Sequence, residues 1–439
     1  MRPWPATARR TTDWRDPMTV AAGLAHRPGA VVLLSDGGPL GQRSWIAVEP
    51  ETMIEAQRVD GELFATLKAP GWARGVVGLA SYDAGARAAT GERGGGWPDL
   101  ILARYPAWLR FDHDARGLTA VGLGEDQAQA GQSCAQALAW LDAATPRSSA
   151  AAPAASWSEE APPQRYGQAV AELVERIGAG ELFQANIARA WHGRLKPDAS
   201  PFDVFARLQA GRASAYGAAW RMGDRALVSN SPELFLTFDP ESGRIETRPI
   251  KGTRPRRADP AADAAEARAL AESAKDRAEN LMIVDLMRND LARVSEPGSV
   301  RVDRLFEVEP LPTVHHLVST VSATARSGVD PADLLEAAFP PGSITGAPKH
   351  QAMKVIAALE PPRGPWCGSL FHIDDAGALT ASVLIRTAGF ERDEAGWTYR
   401  TLAGAGITAD SDPAAETAET EAKIRALREA LIGPLDQLL

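Results

Sequence analysis

The chain has 439 residues, is 45% hydrophobic and carries a formal net charge of −9. That is enough apolar material for a large core, in one big domain or two closely packed ones, and the acidic balance argues against a general nucleic-acid binder. Its two cysteines, Cys134 and Cys367, form no CxxC pair, which argues against a disulfide scaffold or a cysteine-based zinc site.

The opening "MRPWPATARRTTDW" lacks the apolar stretch of a signal peptide, and no later run is long and apolar enough to span a bilayer. A cytoplasmic location is therefore expected. Short β-rich runs follow, "AVVLLSDGG" (Ala30 to Gly38) and "GVVGLASYDAG" (Gly75 to Gly85), bounded by glycines. An Ala/Leu helix ends near Leu141. The Ala, Ser and Pro-rich stretch Ala144 to Gln164 then reads as an exposed connector. The expected organisation is an N-terminal region over 1–143, a linker over 144–164 and a catalytic domain over 165–439. No repeat of solenoid period is present.

Beyond the connector, Tyr166, Val170, Leu173, Val174 and Ile177 follow the helical period, and Gly178 with Gly180 end that helix. "ELFQANIARAW", "RALVSNSPELFLTF", "GRIETRPIKGT", "ALTASVLIRTAGF" and "WTYRTLAGAGI" read as strands. Strands in clusters between long helices predict an α+β protein. "TRPIKGTRPRR" places Lys251 among Arg248, Arg254, Arg256 and Arg257. Neighbouring cations favour the neutral amine of a lysine, and the cluster fits either a solvated basic loop or a site with an anion in its midst.

In "AKDRAENLMIVDLMRNDLARV", Asp276 and Glu279 are three residues apart, and Glu279 shares a stripe with Ile283 and Leu286. The closing helix repeats the pattern. Asp412 is its expected N-cap and Pro413 its first residue. Glu416, Glu419 and Lys423 share a stripe that Leu427 and Leu431 continue as the buried face. Buried carboxylates need a compensating cation or hydrogen bonds; at the surface, Glu416 and Glu419 would simply complement the helix dipole. Two such helices could converge on a hard divalent ion, and magnesium, with its oxygen ligands, suits them.

Just before that helix, "LAGAGITADS" reads as a strand running into a glycine-punctuated turn, where Gly404 and Gly406 would let backbone N–H groups approach an anion. "FPPGSITGAPKHQAM" is a second small-residue turn, with Ser343 and Thr345 as hydrogen-bond donors. Arg386, in an otherwise apolar strand, fits either a substrate carboxylate or an internal salt bridge. His316 fits a lining position or a satisfied core histidine.

Taken in order, "SPELFL", "RPIKGTRPR", "DRAENLMIVDLMRNDLARV", "VHHLVST", "FPPGSITGAPK", "LIRTA" and "AGAGITADSDPAAETAETEAK" resemble the chorismate-utilising enzymes. The resemblance spans nearly all of the chain after the connector. It implies an anthranilate synthase component I-like fold of antiparallel sheets packed face to face and flanked by helices. It also implies Mg²⁺ as cofactor, with Glu279 and Glu419 as principal ligands and Asp276 and Glu416 beside them. Asp276 stands where a glutamate is usual. Glu233 matches the acid that protonates the leaving C4 hydroxyl of chorismate. Arg386, Gly404 and Lys423 match groups that hold substrate carboxylates, Thr253 and His316 line the ring, and Ser343 and Trp366 lie in matching stretches.

Gln184 stands where water-using members carry a lysine base, which disfavours isochorismate and salicylate synthesis. Lys251 stands where anthranilate synthases have alanine ("PIAGT"). "PIKGT" and "PWCGS" are the versions of the aminodeoxychorismate branch, in which Lys251 becomes a nucleophile. The resemblance implies formation of 4-amino-4-deoxychorismate for 4-aminobenzoate and folate biosynthesis. Neither cysteine lies in G-x-C-x-G, so the ammonia is expected from a partner glutamine amidotransferase, component II. An anthranilate synthase large subunit and a catalytically silent ligand-binding homologue are the rival expectations. Relatives bind tryptophan in the N-terminal region, and "GRASAYGAAW" departs from their proline-aromatic pattern.

Overall fold

The computed structural model describes residues 1–38, 41–57, 61–143, 152–311 and 314–433. Its runs of apolar residues become two antiparallel sheets packed face to face, with helices on both outer faces. Among the described residues one sheet has twelve strands and the other ten. Strand Val76–Ala80 shows why its sequence is apolar without alternation. Val77 and Leu79 face Val31, Trp45, Trp108 and Trp220 in the layer between the sheets, while Val76 and Ala80 face the outer core that holds Ile283 and Leu335. A strand buried on both faces has no polar side to show.

Residues before and after the connector are interleaved in both sheets. Val31–Leu34 pairs with Tyr216–Met222, and Val76–Ala80 pairs with Ser369–Ile373. The expected exposed connector lies partly outside the described residues, at 144–151. Its described part is not simply exposed: Pro153 and Ala154 are buried, Ala154 bridges to Leu195, and Ser158–Glu159 pairs with strand Gln184–Arg194. "GVVGLASYDAG" also divides, since Ser81 ends the strand and helix Tyr82–Thr90 begins. Among the described residues, no helix is long and apolar enough to cross a membrane.

Two stretches that read as single strands each pass from one sheet to the other. Arg225–Ser231 lies in the twelve-stranded sheet and Leu234–Phe238 in the ten-stranded one; Leu379–Val383 and Thr387–Asp393 make the reverse passage. The two crossings are joined: the Val383 amide donates to the Glu233 carbonyl at 3.1 Å, and the Asn230 amide to the Arg386 carbonyl at 3.1 Å. Glu233 and Arg386 thus sit at adjoining sheet-to-sheet corners.

A buried ion pair secures the wall beside these corners. Arg363 and Glu360 pair at 2.5 Å, Arg363 also donates to the Ile344 carbonyl at 3.0 Å, and Glu360 accepts the Ala188 amide at 2.7 Å. Arg363→Ala would leave the Glu360 carboxylate buried without its cation. We expect a loss of about 3–5 kcal/mol in unfolding free energy, read from the urea midpoint at unchanged m-value.

Candidate active site

Glu233 is 4% exposed, and burial pushes its carboxyl above the usual range; Ser343, Lys251, the Ile250 backbone and Arg386 oppose that rise. Ser343 reaches it from the single-turn helix Gly342–Ile344. Lys251 lies in strand Ile250–Pro255. Burial lowers its ammonium below the ordinary lysine value, with Lys423 acting in the same direction and Glu279, Glu233 and Glu419 against it. Both members of the Glu233–Lys251 pair are therefore driven toward their neutral forms, carboxylic acid and free amine. Desolvation does this because it penalises each charge more than their mutual attraction returns.

The arginines around Lys251 in sequence are not the cause. Arg248 pairs with Glu309, Arg256 with Asp263 at 2.9 Å and Arg257 with Glu266 at 2.6 Å, and residues 253–257 are exposed. Arg248, Arg256 and Arg257 lie just outside strand Ile250–Pro255 and are neutralised by carboxylates elsewhere, so the expectation that they supply the free amine is corrected.

Gly404 and Gly406 lie within strand Gly396–Ile407, not in a turn. Their role is close approach. A methyl at Gly404 would overlap the Ile187 carbonyl oxygen, and one at Gly406 would overlap the Gln184 amide nitrogen and come within 3.3 Å of Lys251 Nζ. Gln184 is 1% exposed and its carboxamide oxygen has no hydrogen-bond partner. A buried acceptor without a donor beside an amine is a place for a ligand N–H. Gly406→Ala should lower kcat by at least about tenfold with little change in melting temperature, because the displaced group is the end of a side chain. Equal kcat would show that the Gln184 position is not used.

The Gly404 carbonyl accepts Lys423 Nζ at 2.9 Å, and Lys423 also pairs with Glu419 at 2.7 Å. Glu419 and Lys423 are about half exposed, whereas Glu416 is 5% exposed at its side chain. The buried stripe of helix Pro413–Ile432 runs through Glu416, Thr420, Ile424 and Leu427, so Glu419 and Lys423 sit at its edge rather than on it. Burial raises the Glu419 carboxyl, but Lys423, Lys275 and Lys251 outweigh it and the net direction is down. Glu416 accepts Ser411 Oγ at 2.7 Å.

On helix Ala274–Ala292, Glu279 is nearly buried, and desolvation raises its carboxyl, aided by Asp276 and Glu416. Asp276 packs on Gly252, next to Lys251: a methyl on Gly252 would lie 2.9 Å from its Cγ. Lys275 joins the two helices, its Nζ 3.9 Å from Glu279 and 3.6 Å from Glu416. An ammonium thus stands between carboxylates of separate helices, so the donor set, hard oxygens around a shared positive charge, fits a divalent cation. As placed, no three His, Cys, Asp or Glu side chains among the described residues are gathered closely enough to hold an ion.

His316 is buried, and desolvation with Arg386 pushes it down to about 3, leaving a neutral imidazole. Its Nδ1 bonds Thr253 Oγ1 at 2.8 Å and its Nε2 has no partner. Arg386 lies in a bend after its strand, with a positive φ of 53°. That conformation is costly for a side-chain-bearing residue and clusters at functional sites. Trp366, by contrast, belongs to the core, its ring beneath the Arg363 guanidinium at 5.1 Å. Lys275 and Ser411 were missed from sequence. The Lys275–Glu279 spacing of four was visible, but nothing local pointed to Glu416.

The "GRASAYGAAW" stretch is itself packed: Ser214 Oγ donates to Asn230 at 2.8 Å and to the Ser231 carbonyl at 3.0 Å.

The chain is 42% identical over 356 residues to aminodeoxychorismate synthase component 1 of Klebsiella aerogenes, covering 80% of this chain and 75% of the relative. It is 41% identical over 277 residues to anthranilate synthase component 1 of Streptomyces coelicolor, covering 63% and 53%. The solved structure of anthranilate synthase component I from Streptococcus pneumoniae TIGR4 superposes with a TM-score of 0.74 at 25% identity, over 90% of this chain and 93% of that one. The fold is that of anthranilate synthase component I. Residues 14–429 match the family described as chorismate binding enzyme, and the chain belongs to that family.

Proposed function

We propose that this protein is the chorismate-aminating component of an aminodeoxychorismate synthase, making 4-amino-4-deoxychorismate on the route to 4-aminobenzoate and folate. It would take ammonia from a glutamine amidotransferase partner. The observation that carries the reading is the Glu233–Lys251 pair, a buried acid at a sheet-to-sheet corner and a half-buried strand lysine, both driven toward neutrality by desolvation. A free amine and an undissociated acid are what nucleophilic displacement of a hydroxyl requires.

Lys251 Nζ forms a bond to C2 of the ring, the ring electron pair shifts, and the C4–O bond breaks as Glu233 gives its proton to the departing hydroxyl, which leaves as water. Ammonia then bonds to C4, the electron pair shifts back, and the C2–N bond breaks to restore the Lys251 amine. The proton that the incoming ammonia loses replaces the one Glu233 gave up. Arg386 and Lys423 supply positive charge for the substrate carboxylates, His316 Nε2 offers an open position at the ring, and the Gln184 oxygen accepts an N–H of the incoming ammonia. Mg²⁺, held by Glu279, Glu419, Glu416 and Asp276, would neutralise and orient the ring carboxylate.

The identity to anthranilate synthase component 1 favours a second reading, in which Lys251 is only a counter-ion and ammonia adds at C2. Purified protein with chorismate, Mg²⁺ and excess ammonium distinguishes them by product mass. Aminodeoxychorismate supports the proposal, whereas anthranilate or no turnover overturns it.

A further inference from the structure

Lys275 has no part in the steps above, yet its ammonium reaches two carboxylates of the acidic cluster. It is the second residue of helix Ala274–Ala292, where the helix dipole disfavours a cation. Its Nζ nevertheless stands 3.9 Å from Glu279 on its own helix and 3.6 Å from Glu416 on the closing helix. The side chain is 51% exposed, whereas those of Glu279 and Glu416 are 12% and 5% exposed. The carboxylates are fixed in the wall, and the cation that neutralises them is on a long stem with an open path to water. Lys423 does the same for Glu419 alone, at 2.7 Å.

We propose that Lys275 is a built-in competitor for the divalent-cation site. Its ammonium neutralises Glu279 and Glu416 in the ion-free protein and swings out to solvent when an ion takes both carboxylates. This rests on the magnesium reading of the site. Its consequence is that the free protein binds the ion weakly, and that anionic substrate, which adds oxygens to the ion but none to the displaced lysine, tightens ion binding. By linkage the ion tightens substrate binding equally. The device also spares the empty site an uncompensated cluster of buried negative charge.

The test is Mn²⁺ titration of the full chain without substrate, followed by the loss of the free-ion EPR signal at fixed pH and ionic strength. Lys275→Met keeps the stem and removes the charge; Lys275→Arg keeps the charge. With two partly exposed ion pairs removed, Lys275→Met should bind Mn²⁺ about 3- to 30-fold more tightly than the native chain, and Lys275→Arg no more tightly than it. Lys275→Met should also melt lower than the native chain without ion and show the larger Mn²⁺-induced rise in melting temperature, which checks that the variant is folded. Equal or weaker Mn²⁺ binding by Lys275→Met, with measurable binding by the native chain, overturns the inference and leaves the magnesium reading standing. No Mn²⁺ binding by either protein, with or without chorismate, overturns both.

Discussion

Lys251→Ala should lower aminodeoxychorismate formation by about 10³-fold, equivalent to about 4 kcal/mol of transition-state stabilisation, or divert the residual product to anthranilate. The size follows from what the side chain is proposed to do. It supplies a covalent route that splits one displacement into two, and no neighbouring group can take its place. The Gln184 carboxamide is not nucleophilic, and Lys423 is already engaged with Glu419 and the Gly404 carbonyl. Binding should suffer less than turnover, because Arg386 and Lys423 remain to attract the substrate's carboxylates. Loss confined to kcat, with KM nearly constant, is the pattern for a group that acts in the reacting state. A rise in KM alone would make Lys251 a counter-ion, and an unchanged rate and product would remove its role altogether.

Glu233→Gln should lower kcat by about 10²- to 10⁴-fold, the range for removal of a positioned general acid. The glutamine is nearly isosteric and can still bond Ser343, so the fold should survive. The pH profile separates catalysis from packing. Burial raises the Glu233 carboxyl, so the acid is present at low pH and is lost as pH climbs through its folded value. Burial lowers Lys251, so the free amine appears as pH climbs through its own, lowered value. The native profile should therefore be bell-shaped. In Glu233→Gln the descending limb at high pH should disappear while the Lys251 limb at low pH persists. A variant that keeps its high-pH limb, or its rate, would assign the proton to another group.

Much of this site could be read locally, because its chemistry is carried by residues in short segments whose period is set by one helix or one strand. The Asp412 cap and Pro413 start are confirmed, the cap accepting the Ala415 amide at 2.8 Å. "ELFQANIARAW" holds most of the strand it was expected to form, which begins at Gln184 rather than Glu181, and the placement of Glu279 near Ile283 on one helix follows from spacing. The ordered motifs were together enough to point to the family that the whole-chain comparison shows.

What the sequence by itself determined, then, was which residues share a helix face or a strand, and the family to which their order belongs. The tertiary structure decided which of those segments meet. "RALVSNSPELFLTF" and "ALTASVLIRTAGF" continue apolar through their sheet-to-sheet corners, because the strands that meet there are mostly buried on both faces, so nothing marked Glu233 and Arg386 as corner residues. Neighbouring letters suggested arginines around Lys251, but Arg248, Arg256 and Arg257 pair with Glu309, Asp263 and Glu266, and Arg254 is exposed. The charges that act on Lys251 come from Glu279, Glu233, Lys423 and Glu419, and the site's second ammonium, Lys275, meets Glu416 across 141 positions of chain at 3.6 Å. Burial and long-range charge belong to the folded arrangement, and local spacing carries neither.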